Sequence, residues 1–96
     1  MNISTDLEQL KKLGENVKSD AADYAAEVRK MYMAVEELAN KWKGADNQAY
    51  IQQVNSYKAD IENLGKVVDN YGTFLIETAA NLTRIQNEIK SSAAKL

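Results

Sequence analysis

The chain has 96 residues, 45% hydrophobic and 27% charged, with a formal net charge of −2 and a pI near 5.1. That allows one domain at most and enough apolar content to fold rather than stay disordered. Cysteine and histidine are both absent, which excludes disulfides, zinc–thiolate sites, thiol catalysis and the usual general base near neutral pH.

There is also no proline, as expected of long uninterrupted elements. Ala, Lys, Glu, Gln, Asn and Asp dominate the polar positions and suit helices better than strands. Acids and lysines alternate without forming a basic face, so no nucleic-acid partner is expected. The apolar runs are too short for stable membrane insertion. The opening MNISTDLEQL has no basic n-region and no apolar h-region, so an ordinary signal peptide is not expected.

The first element begins with Thr5, whose spacing to Glu8 reads as a capping box. From Ile3 a heptad stripe runs through Leu7, Leu10, Gly14, Val17, Ala21, Tyr24, Val28, Met31, Val35 and Leu38 to Trp42. This predicts a helix over about 5–42. Lys41 and Lys43 suit the negative end of its dipole. Gly44 suits a left-handed closing residue, and Asp46 a cap for the second helix. The turn is placed at about 43–46.

A second stripe starts at Tyr50 and runs through Val54, Tyr57, Ile61, Leu64, Val68, Tyr71, Leu75, Thr78, Leu82 and Ile85 to Ile89. It predicts one helix over about 46–90, with SSAAKL as a frayed tail. At about 1.5 Å per residue each helix is roughly 55–65 Å long. A tight turn makes them antiparallel neighbours, with paired residue numbers adding up to about 89. Gly14 then faces the Phe74–Leu75–Ile76 cluster and Ala21 faces Val68. The expected hairpin core is Leu10, Val17, Val28, Val35, Leu38, Val54, Ile61, Leu64, Val68, Leu75, Leu82 and Ile85.

The second helix has more apolar surface than one seam requires. Val67, Phe74 and Ile76 lie outside its stripe, and Gly65, Gly72 and Ala79 recur every seven residues beside it. Tyr32 stands in a comparable flank row of the first helix. A glycine inside a helix costs about 1 kcal/mol against alanine, so a repeated one suggests the close approach of another helix. Tyr32, Gly65, Val67, Gly72, Phe74 and Ile76 are therefore assigned to a dimer or partner face. The expected fold is all-α, a single-domain antiparallel helix-turn-helix hairpin over 1–96 that dimerises into a four-helix bundle.

Trp42 and Gly44 bracket the turn. By themselves they are an aromatic plug followed by a helix end. Together with the length, the two heptad-patterned helices and the small-then-aromatic step Ala49–Tyr50, Trp-Lys-Gly in the connecting turn resembles the WXG family of small type VII (ESX-type) secretion proteins. The resemblance covers the whole chain in architecture. It implies a dimeric helical hairpin exported folded by a non-Sec route, or held in the cytoplasm before export. It implies as partners a second copy or a sister WXG chain, the type VII secretion ATPase and, for some relatives, a larger toxin. The family's export signal joins this tryptophan to a Tyr-x-x-x-Asp/Glu motif after helix 2. This sequence departs there: Tyr71 is followed four residues on by Leu75, and the one match, Tyr32 to Glu36, lies within helix 1.

Enzyme chemistry is not expected. Glu36 and Glu37 are adjacent and so do not share a helix face. Glu15, Asp20, Asp23 and Glu27 read as a solvated face, and without histidine the di-iron bundle pattern is missing. The four glycines are too scattered for a phosphate loop. No catalytic residue, cofactor or metal is assigned. Three readings remain: a secreted WXG protein acting by helix-mediated contacts, an intracellular adaptor for a larger type VII toxin, and a plain structural coiled-coil module.

Overall fold

The computed structural model describes residues 2–42 and 44–95. Its elements are α1 (Ile3–Lys41), α2 (Ala45–Ser56) and α3 (Lys58–Ala94). There is no strand among the described residues, and the chain is a helical hairpin. It forms a rod with Cα extents of 79 × 17 × 16 Å.

Each end is decided by local hydrogen bonding. Asn2 caps α1, because its side chain accepts from the Thr5 N–H at 3.3 Å and its carbonyl from the Asp6 N–H at 3.1 Å. The expected cap at Thr5 is thus displaced by one turn. Thr5 receives the cap because Asn2, three residues earlier, has the short acceptor in the right place. At the far end the Trp42 N–H donates to the Leu38 carbonyl at 2.8 Å, and Trp42 itself is extended, with φ −103° and ψ 98°.

Gly44 is not a left-handed closing residue. Its φ is −70° and its ψ 149°, and none of the described glycines has positive φ. The chain leaves α1 extended, so no left-handed residue is needed. Gly44 instead starts α2, its carbonyl accepting the Gln48 N–H at 3.1 Å. Asp46 sits within the first turn of α2, where its charge suits the positive end of the dipole. Lys41 lies in the last turn of α1, while Lys43 lies outside the described residues.

The second arm is two helices rather than one. At Tyr57 the N–H donates to Val54, three residues back, at 3.2 Å, and the Ile61 N–H donates to Tyr57 at 3.0 Å to open α3. Neither proline nor glycine is nearby. Side chains have entered the ladder instead, one of the recognised causes of a helix break. The Ser56 hydroxyl donates to the Gln53 carbonyl at 2.6 Å, and the Tyr32 hydroxyl donates to the Val54 carbonyl at 3.0 Å from across the hairpin. Beyond this joint α3 continues to Ala94, past the expected end near residue 90, so Ser91–Ala94 of the tail are helical.

The α1–α3 contact is built on small residues. Gly14, Ala21, Val28 and Tyr32 are buried on α1, and Gly65, Gly72, Leu75 and Ala79 on α3. A Cβ added to Gly72 would lie 2.8 Å from the Gly14 carbonyl oxygen, and one added to Gly14 would lie 2.8 Å from Ile76 Cγ1. The two backbones therefore touch where the glycines face each other. Opposed pairs such as Gly14–Ile76, Lys18–Gly72 and Tyr24–Gly65 fall within about one residue of the alignment expected from the sequence. Lys18 closes one edge, its Nζ 3.1 Å from Asp69 and donating to the Thr73 hydroxyl at 2.7 Å. The Tyr24 ring covers Gly65, and its hydroxyl donates to the Ile61 carbonyl at 3.0 Å.

Candidate interaction face and turn

The burial pattern redistributes the two residue sets expected from the sequence. Within the assigned hairpin core, Val28 and Leu75 are buried, and Leu10, Val17, Val35, Val54 and Ile61 are partly so. Leu38, Leu64, Val68, Leu82 and Ile85 are exposed, with 56% of Leu64 accessible. Four of the six residues assigned to a partner face lie at the hairpin's own contact. Tyr32, Gly65 and Gly72 are buried, and Ile76 packs on Gly14. Val67 and Phe74 are exposed, Phe74 beside Tyr71 with ring centroids 6.3 Å apart.

The physical reason is a rotation of α3. Gly65, Gly72 and Ala79 each follow a seam residue by one position, about 100° around the helix. Turning that row toward α1 lets the backbones approach, which gains dispersion contacts along the length of the pair. The large seam residues are then left on one side of the hairpin. A heptad seam points toward the axis of a bundle. In a lone two-helix hairpin that axis is at the surface.

The two broad sides of the rod consequently differ. One carries Leu64, Val68, Tyr71, Leu82, Ile85 and Ile89 from α3, with Met31 and Leu38 of α1 also exposed. A small hollow of about 210 Å³ on this side is lined by Asp20, Ala21, Tyr24, Leu64 and Val68. The other side has a wider groove of about 730 Å³, floored by Ala25, Val28 and Tyr32 and rimmed by Arg29, Glu36, Lys58, Glu62, Lys66 and Asp69. Three cations and three anions balance along that rim.

The total accessible surface is 7558 Å². A compact monomer of this mass exposes about 5,500 Å², so the rod carries about 2,000 Å² more than a globular fold would. Its radius of gyration is 22.1 Å, where about 12–13 Å suits a compact chain of this length.

At the turn, Trp42 is half exposed, at 49%. Tyr50 and Tyr57 are also exposed, and α2 buries no residue. The expected solvated acids Glu15, Asp20, Asp23 and Glu27 are all exposed. Among the described residues no cluster of acids could hold a metal ion, and no helix is long and apolar enough to cross a membrane.

Three features were hard to read from the sequence: the cap at Asn2, the joint at Tyr57, and the inward-facing glycine row. Asn2 had a usable signal, an Asx residue ahead of the first stripe residue. The Asn55–Ser56 pair, which favours local side-chain-to-backbone bonds, was the only hint of the joint.

Comparison with known proteins adds one finding. The model of the WXG100 family, described as proteins of 100 residues with WXG, matches residues 2–85. The match includes the Trp42–Gly44 turn and most of both arms. Neither a curated protein nor a solved structure matches the chain.

Proposed function

The chain belongs to the WXG100 family, the small proteins of type VII secretion, and from that premise we propose that it works as a dimer of hairpins whose shared core is the exposed apolar side of the rod. Members of this family are helical hairpins that pair with one another. The observation that supports pairing here is the one-sided apolar surface, with Leu64, Val68, Leu82 and Ile85 exposed together. An isolated protein rarely leaves so large a patch uncovered. Covering it in a second copy or a sister chain would complete the bundle toward which the heptads point.

In this reading the protein is exported through the type VII route, engages the secretion ATPase as part of the dimer, and acts by helix-mediated contacts with no chemistry of its own. Trp42, half exposed at the turn, supplies the recognition surface on this chain. The Tyr-x-x-x-Asp/Glu motif missing after helix 2 would come from a partner.

A second reading, an intracellular adaptor for a larger type VII toxin, is favoured by Val67 and Phe74. They are exposed on the flank of α3 turned furthest from the glycine row, where a third helix could lie. Export decides between the two. Untagged and internally tagged protein would be followed in cells and medium, with and without the motor ATPase. Motor-dependent appearance in the medium supports the secreted reading. Retention in cells under both conditions refutes it and directs attention to what binds Val67 and Phe74.

A further inference from the structure

We propose that Tyr57 is a joint that lets α2 move against the α1–α3 rod, and that the Tyr32 hydroxyl is the latch that holds it. Four observations meet there. Among the described residues, the backbone bonds at the break run from Tyr57 N–H to Val54 and from Ile61 N–H to Tyr57. Tyr57, at φ −86° and ψ −7°, caps the start of α3 without a side-chain hydrogen bond. The Gln53 carbonyl accepts from the Ser56 hydroxyl at 2.6 Å, and the Val54 carbonyl accepts from the Tyr32 hydroxyl at 3.0 Å as well as from the Tyr57 N–H.

Tyr32 is itself 5% exposed and is buried on α1 rather than on the moving segment. Its ring is further fixed by the Lys58 ammonium, 5.5 Å from the centroid. Finally, α2 buries no residue of its own, so little apolar packing opposes its motion. A segment with few buried contacts and one cross-hairpin hydrogen bond is the part of a fold that opens first.

The consequence concerns the turn. Gly44 caps α2 and Trp42 precedes it, so release of the latch alters where α2 and the turn sit relative to the rod while the glycine contact stays closed. The inference is independent of whether the protein is exported. It describes how the tip can adjust to whatever it meets.

The test is hydrogen exchange on the full chain, with two matched variants. Tyr32→Phe keeps the ring, its burial and the lysine contact and removes only the hydroxyl. Tyr24→Phe removes a hydroxyl that makes a bond of the same length, 3.0 Å, to the Ile61 carbonyl within α3. Tyr32→Phe should speed exchange of the α2 amides from Gln48 to Ser56 by roughly two- to tenfold, the value of one hydrogen bond, and leave α3 amides around Gly72 unchanged. Tyr24→Phe should leave α2 unchanged. The proposal is overturned if Tyr32→Phe has no effect, if it speeds α2 and α3 equally, if it slows exchange at Lys58–Asp60 by healing the helix, or if Tyr24→Phe loosens α2 as much.

Discussion

Replacing Gly72 by alanine tests the central packing claim. An added Cβ would lie 2.6 Å from Lys18 Cγ, 2.8 Å from the Gly14 carbonyl oxygen and 3.1 Å from the Lys18 N. The lysine side chain can shift, at the cost of disturbing its contacts with Asp69 and Thr73. The carbonyl and the amide are backbone of a helix and cannot move alone. Reaching an ordinary contact distance needs the helices to part by roughly 0.5–1 Å, which forfeits a quarter to a half of each dispersion contact along that stretch.

Overpacking of this kind costs about 1–3 kcal/mol, and the gain in helix propensity returns about 1 kcal/mol. The expected net loss is up to about 2 kcal/mol, read by urea denaturation at fixed protein concentration, because any association would make stability concentration-dependent. Thermally this corresponds to a drop of up to roughly 15 °C for a chain of this size. Gly14→Ala should behave alike, and the double variant should cost less than the two singles together, since both are relieved by the same separation. If Gly72→Ala is more stable than the native chain by the full propensity gain of about 1 kcal/mol, the helices do not touch backbone to backbone and the assigned register is wrong.

Gly44→Ala separates the two accounts of the turn. The φ of −70° and the nearest atom at 3.8 Å from an added Cβ give a stability change within about 1 kcal/mol, covering the weaker capping of alanine; a left-handed glycine would lose more. Trp42→Ala, removing a half-exposed ring, should leave helicity by circular dichroism intact and the melting temperature nearly unchanged while reducing export. A variant that melts far lower would assign the tryptophan a packing role instead. Leu64→Glu combined with Leu82→Glu should halve the mass seen by light scattering at micromolar concentration and retain the helical signal. A native chain that is already a monomer, or a dimer that survives both charges, would refute the apolar side as the pairing face.

The sequence made the helical arms legible because heptad spacing is a local property of each helix. The same spacing could not say which row of α3 faces α1. Seam and glycine row differ by one residue, and the choice between them rests on how closely two backbones can approach. Likewise Gly44 is compatible with a left-handed end or an extended start, and the extended path out of α1 selects the second. The joint at Tyr57 was hidden because its cause is partly distant: the Tyr32 hydroxyl, 22 positions away from Val54 in sequence, competes for a carbonyl that local propensity assigns to the helix.

By itself, then, the sequence determined an all-α hairpin, its register to about one residue, and the aromatic turn at Trp42–Gly44, since these arise from periodicity and punctuation along the chain. Only the tertiary structure decided which residues the hairpin buries and which it leaves exposed. Glycine's missing side chain acts between helices rather than within one, so its effect emerges once two backbones are brought together.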